Sequence, residues 1–204
     1  MPIAKGAPYG APGPLPPGAV IVRSDAEARE VLEAARRGHR PRPVLGLVGG
    51  DLCRTLGGGG EGGEARLRTG GGVVFPVDLG EVLADGRLHL FVAHLVARTR
   101  LWNRSFVAMN AQWLGPWNLG PRAHPGDGLV DTYDARLSLG QLPVVRSRLH
   151  HGAHLPHPGI TERRAPSVQV ELERALPLRL DGRVVGRART LAVRVEPDAL
   201  TVVV

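Results

Sequence analysis

The sequence predicts an α+β, mainly β protein: a C-terminal β-sandwich carrying a small α/β piece at its N-terminus. From Val73 onward, short apolar runs alternate with tight-turn dipeptides such as Asp85-Gly86 and Asp181-Gly182, the pattern of paired antiparallel strands. Gly 28 and Pro 18 in 204 residues make turns plentiful and long helices few. Between residues 19 and 57 the order is instead strand, helix, strand, short helix, a small α/β unit with a right-handed crossover.

Residues 1–18 are a Pro/Gly tail without an apolar h-region, so a flexible tail and no signal peptide are expected. Residues 19–22 form a short strand. Ser24-Asp25-Ala26-Glu27 has capping-box spacing, and Ala28, Val31, Leu32 and Ala35 follow at helical spacing up to Gly38. Residues 44–48 are a second strand. It opens into Gly49-Gly50-Asp51-Leu52-Cys53-Arg54-Thr55-Leu56-Gly57, a turn and short helix with Cys53 in the core. Residues 57–63 are glycine-rich and read as a mobile loop or hinge. The boundary near Gly72 gives an α/β segment over 19–72 and a sandwich over 73–204.

Within the sandwich, 73–79 is a strand, and Asp85-Gly86 turns it into a single long strand over 88–96. Residues 105–111 are another strand. Residues 139–149 read as a helix with Pro143 in its first turn. The end alternates strands at 167–173, 177–180, 184–185, 191–196 and 199–203. Trp102, Trp113 and Trp117 are expected in the sandwich core, the alternative being the wall of a groove.

The formal net charge is +7 and the pI about 11.0. That balance suits phosphate-bearing partners or an anionic membrane surface. The positive side is almost all arginine, with Lys5 the only lysine, a bias that a GC-rich coding sequence also produces. No compact basic run is interleaved with aromatics, so nucleic acid is not the expected partner. The single cysteine, Cys53, excludes an intramolecular disulfide and suits a reducing, cytoplasmic setting. The apolar run over 88–97 is too short to span a membrane and contains His89 and His94. His150, His151, His154 and His157 invite a zinc site. Pro156 and Pro158 forbid the helix that would put His154 and His157 on one face, so loop histidines with backbone hydrogen bonds are expected.

Four stretches carry a more specific signal. They are Val48-Gly49-Gly50-Asp51-Leu52-Cys53-Arg54-Thr55-Leu56-Gly57, Met109-Asn110-Ala111-Gln112-Trp113-Leu114-Gly115-Pro116-Trp117, Pro121 to Asp131 with its Asp127-Gly128-Leu129-Val130-Asp131 turn, and Leu180-Asp181-Gly182-Arg183. Val77-Asp78-Leu79-Gly80 adds a fifth, shorter match. In this order they resemble the diacylglycerol kinase and sphingosine kinase type of lipid kinases.

The resemblance implies a nucleotide-binding α/β domain followed by a β-sandwich, with the active site between them. Residues 19–72 are then a truncated remnant of the nucleotide domain. ATP and magnesium are the implied cofactors and phospholipid metabolism the implied setting. Gly49, Gly50, Asp51 and Arg54 fall on the nucleotide side. Asp127, with the carbonyls of His124 and Leu129, falls on a structural magnesium site. A plain turn with Asp127 bonding its own backbone explains the same residues. Asp181 and Arg183 fall on an Asp-Gly-Glu turn, Arg183 at the position of the catalytic carboxylate.

Two departures set the expected function. A carboxylate can take a proton from an alcohol, and a guanidinium cannot. The family's Gly-Gly-Asp-Gly-Thr phosphate loop falls on Val22-Arg23-Ser24-Asp25-Ala26, which has no glycine to let the backbone approach a phosphate closely. Arg23 and the helix start can hold one anion at most, so only weak ATP binding is expected. The chain therefore reads as a shortened, catalytically degenerate relative acting as a binding or regulatory module toward lipid or an anionic membrane. One alternative is an active ATP-dependent lipid kinase with its base at Asp181 or Asp51, a partner protein completing the nucleotide site. The other is a basic surface binder of anionic lipid or nucleic acid.

Overall fold

Local pattern accounts for most of the N-terminal segment: β1 (Ala11–Pro12), β2 (Val20–Val22), α1 (Asp25–Arg37), β3 (Leu45–Leu47), α2 (Asp51–Thr55) and α3 (Gly63–Arg68). The computed structural model describes residues 9–60 and 62–204. The capping box forms with a shift: Ser24 Oγ accepts the Glu27 N–H at 3.2 Å, while the Glu27 carboxylate accepts the N–H of Arg23 rather than Ser24, at 2.7 Å. Ala28, Leu32 and Ala35 make the buried face of α1. β2 and β3 pair in parallel, Val20 beside Leu45. α3 has no counterpart in the reading of the glycine-rich stretch. Its buried Leu67 sits over Gly46 and Gly72, which seats the helix against the start of the sandwich.

The sandwich comprises β4 (Val73–Ala84), β5 (Arg87–Phe91), β6 (His94–Arg98), β7 (Arg104–Met109), β8 (Val130–Arg136), α4 (Leu142–Leu149), β9 (Ile160–Ala165), β10 (Ser167–Leu180) and β11 (Arg183–Val203). Hydrogen bonding runs β1-β4-β11-β10-β6-β7-β8-β9, with β5 on β4. Val82 and Phe91, from β4 and β5, share one buried cluster with Phe106 and Val130, from β7 and β8. Elements so distant in the strand order meet because the sheet folds over on itself, which makes the sandwich.

β10 and β11 do the folding over. The short strands expected at the C-terminus merge into two long ones, with register shifts between Glu171 and Leu176, Leu178 and Arg179, and Glu196 and Leu200. Such bulges bend a strand without ending its pairing. The last residues of β11 pair in parallel with β3, Val202 beside Leu45, so the α/β segment and the sandwich share one sheet.

Other differences have local causes. The strand expected over 88–96 breaks at Val92-Ala93, whose N–H groups are taken by a side chain described below. β8 was hidden behind the turn signals that precede it. β9 (ITERRA) is an edge strand too polar to show an apolar alternation. The first eight residues of the tail lie outside the described residues, and the rest of it is not free chain. β1 pairs with β4, the Tyr9 ring lies 5.0 Å from that of Phe75, and the Tyr9 hydroxyl donates to the Pro76 carbonyl at 2.8 Å. Among the described residues no helix is long and apolar enough to cross a membrane.

Candidate functional site

Four ionisable side chains converge where α1, α2, the β5–β6 break and the β10–β11 turn meet: Asp25, Asp51, His94 and Asp181. Asp25 opens α1 and is buried. Its carboxylate accepts the backbone N–H groups of Asp51 at 2.6 Å and Leu52 at 3.1 Å, closing the start of α2. Burial, joined by the charge of Asp181, pushes the Asp25 carboxyl up to about 6 against the opposing backbone bonds.

Asp51 faces the other way. Its Oδ2 stands 3.0 Å from His94 Nε2 and accepts the Gly115 N–H at 2.9 Å. Burial opposes its ionisation, but the His94 hydrogen bond, the Gly115 N–H and Arg54 hold its carboxyl below the usual range. For His94, burial works against the charged form, and the three carboxylates outweigh it, raising the imidazole above its ordinary value.

Asp181 is wholly enclosed. Its carboxylate accepts three consecutive backbone N–H groups, from Val92 at 3.0 Å, Ala93 at 2.9 Å and His94 at 3.1 Å, and Arg29 Nε lies 3.9 Å away. This is why β5 and β6 are separate strands. Burial raises the Asp181 carboxyl, with His94 and the three N–H groups opposing. The turn itself is the Asp-Gly hairpin read from sequence, with φ of 49° at Asp181 and 81° at Gly182.

The nucleotide-side residues are close to this cluster but committed to packing. A Cβ at Gly49 would stand 2.5 Å from the Arg23 carbonyl oxygen. One at Gly50, where φ is +99°, would stand 2.5 Å from Asp25 Oδ1. The two glycines thus let the Arg23 carbonyl and the Asp25 carboxylate approach the backbone closely. Arg54 donates to the Gly115 carbonyl at 3.0 Å and stacks 3.4 Å from the Trp113 ring centroid. The ligand atoms of Asp25, Asp51 and His94 lie within 4.8 Å of one another, a donor set compatible with a divalent cation. Those atoms already hold one another or backbone N–H groups. An ATP-bound magnesium ion would have to displace those bonds, so the residues do not fit it as they stand.

Arg183 follows the turn, and its side chain is exposed. Asp127 accepts the Leu129 N–H at 3.0 Å and forms an ion pair with Arg164. His124 Nδ1 accepts the Gly126 N–H at 3.2 Å, and its ring lies 4.6 Å from that of Tyr9. The Asp127 turn is closed by its own backbone N–H and by the Arg164 guanidinium.

The remaining matched motif residues also hold backbone. Asn110 donates to the carbonyls of Asp78 and Val92, each at 2.9 Å. Asp78 accepts the N–H of Gly128 at 2.7 Å and of Asp198 at 2.9 Å. The Phe91 ring packs on Gly80, where a Cβ would stand 2.3 Å from it.

Sequence reasoning missed His94, Arg29 and the role of Asp25. A histidine inside an otherwise apolar strand was the available signal for His94; Asp25 was read only as part of a cap. Cys53 is buried as expected, with burial pushing its thiol up to about 11. His157 accepts the Gly159 N–H at 3.0 Å, as expected for a loop histidine. His154 is buried, its ring beside the Leu119 backbone. Trp102 and Trp117 are partly buried and pack against the core cluster of Val96, Val107 and Met109. Trp102 and Trp117 wall a cavity of about 380 Å³ beneath α4, and Trp113 lies under Arg54.

Fold and site together define a kinase-type β-sandwich joined to a short α/β segment. Residues 81–204 match the family model of the YegS C-terminal NAD kinase beta sandwich-like domain, and the chain belongs to that family. No curated protein matches its sequence. A solved structure from Bacillus anthracis str. Sterne, provisionally assigned as a diacylglycerol kinase, is similar with a TM-score of 0.69 at 15% identity, covering 90% of this chain and 77% of that one. Another from the same organism, described as a diacylglycerol kinase, has a TM-score of 0.64 at 16% identity, covering 90% and 75%.

Proposed function

We propose that this chain is a catalytically silent relative of the diacylglycerol kinases that works as a lipid-binding module. The observation that carries the reading is the Asp25 carboxylate on the N–H groups of Asp51 and Leu52. A phosphate approaching that loop meets a carboxylate where it needs free donors. Three further features support it. Arg183 cannot act as a base, Asp181 is spent on backbone, and the Asp127 turn is neutralised by Arg164. The apolar cavity under α4 supplies the lipid-binding side of the reading. Calorimetric titration with ATP, with and without magnesium, tests it. No heat of binding up to millimolar nucleotide is expected, and magnesium-dependent binding at micromolar strength overturns it.

One contact favours a second reading, that of an active kinase whose nucleotide site a partner protein completes. Asp51 with His94 at 3.0 Å is a carboxylate–imidazole pair of the kind that serves general bases. That reading requires Asp51→Asn to abolish a measurable phosphoryl transfer while leaving the melting temperature in place.

A further inference from the structure

Arginines and tryptophans are scattered along the sequence, and the fold gathers them. Each of the three tryptophans carries an arginine: the Arg54 guanidinium lies 3.4 Å from the Trp113 ring centroid, Arg98 4.4 Å from Trp102 and Arg146 5.3 Å from Trp117. Trp113 and Trp117 share one loop, drawn in by backbone bonds between Leu114 and Trp117 at 2.8 and 3.1 Å. Trp102 meets Trp117 edge to face, with centroids 5.5 Å apart. The three pairs therefore make one continuous face, and all three rings are partly exposed on it.

The positive charge on this face is not matched by acids. Among the described residues, Arg54, Arg98 and Arg146 form no ion pair, and neither do Arg100 and Arg179 beside them. Arg54, Arg98 and Arg179 are held instead by neutral backbone carbonyls, of Gly115 at 3.0 Å, Thr99 at 3.0 Å and Gly182 at 3.2 Å. The charge of Asp51 reaches Arg54, but that carboxylate is taken by His94 and the Gly115 N–H. Burial, joined by the like charge of Arg179, lowers the Arg98 guanidinium from its ordinary value. On other faces arginines pair with carboxylates, as Arg42 does with Glu196 and Arg189 with Glu171. Cations crowded together without acids attract an anionic partner.

We infer that this face binds single-stranded nucleic acid, with phosphates on the unpaired guanidinium groups and bases against the tryptophan–arginine pairs. Unpaired bases stack on aromatic rings and on guanidinium planes, and each pair offers both. The stacking tolerates any sequence, because every base has a flat face. A duplex keeps its bases stacked inside and would engage the arginines alone. An anionic bilayer fits less well, since a ring inserted among acyl chains would carry its guanidinium with it. The inference goes beyond the lipid-binding reading and does not depend on it.

The test is fluorescence anisotropy of a labelled thymidine oligomer of about 15 nucleotides, titrated with the full chain. With these arginines engaged, affinity should fall about a hundredfold between ~50 and ~200 mM salt. Trp113→Ala should weaken binding about tenfold at an unchanged salt slope, through lost stacking. Arg100→Gln and Arg146→Gln, both at exposed positions, should each flatten the slope by about 0.7. Arg87→Gln, exposed on β5 across the strand order from β6 and β7, should leave the slope as it is. No binding of the oligomer at ~50 mM salt overturns the inference, and so does capture of the chain by anionic vesicles alone. Equal affinity for a duplex of the same length, or a Trp113→Ala chain that binds undiminished, overturns the role of the rings. A slope flattened as much by Arg87→Gln as by Arg100→Gln overturns the assignment to this face.

Discussion

Asp181 and His94 bond each other's backbone twice: the Asp181 carboxylate accepts the His94 N–H at 3.1 Å, and the Asp181 N–H donates to the His94 carbonyl at 2.9 Å. The hairpin turn of β10–β11 is thereby locked to the start of β6. A side chain that closes three backbone donors in a dry interior is architecture before it is chemistry.

Asp181→Asn follows from this. The amide keeps one acceptor oxygen and turns an NH₂ toward backbone donors, so ~2–4 kcal/mol of stability should be lost. Urea unfolding checks it. An unchanged midpoint would contradict the architectural role and return Asp181 to the list of candidate bases.

Arg183→Glu restores a carboxylate at the position where the lipid-kinase resemblance places the catalytic base. The side chain is exposed, so stability should change by no more than ~0.5 kcal/mol. No ATP-dependent lipid phosphorylation should appear, because Asp25 still fills the donors at the start of α2. A radiolabelled phosphate-transfer assay decides; activity gained from this one change would show that the nucleotide site had survived.

The Asp25 carboxyl makes a pH prediction. Its folded-state value, about 6, lies above the ordinary 3.8. The folded protein therefore binds the proton more tightly, and the stability from this group is fully present below 3.8 and lost as pH rises through about 6. Asp25→Asn removes that contribution. The stability difference between native and variant chains should shift across this window in favour of the variant as pH rises. Thermal melting in a buffer series tests the sign. Asp131, also raised to about 6 mainly by burial, titrates in the same window in both chains and cancels in the difference.

Arg164→Ala leaves Asp127 without its ion pair and Asp131 without the Arg164 charge, which reaches it at 3.7 Å. Both Asp131 oxygens already lack hydrogen bonds. A loss of ~1–3 kcal/mol at neutral pH is expected. The loss should shrink in acid, where Asp131 takes up its proton and needs no cation. A loss that does not vary with pH would mean that Arg164 acts through packing alone.

Much of this was legible residue by residue. Ser24 and Glu27 announced the start of α1, and the Asp85-Gly86 and Asp181-Gly182 dipeptides announced their hairpins, because caps and turns depend on neighbours within a few positions. The β-sandwich followed from the succession of those signals. The site was less legible. Asp51, Asp181 and the paired glycines stood out through a family likeness, but His94 was hidden in an apolar strand and Asp25 in a cap.

Sequence alone determined the types of element and the mainly β class, since each is a property of a short window. Only the tertiary structure decided what the motif residues do. Asp25 fills the donors of a loop 26 positions away, Asp181 holds backbone 87 to 89 positions away, and the rings of Tyr133 and His154 meet 6.1 Å apart. Hydrogen bonds and burial are fixed by proximity in space, and a chain that folds one long sheet over on itself makes neighbours that no local pattern encodes.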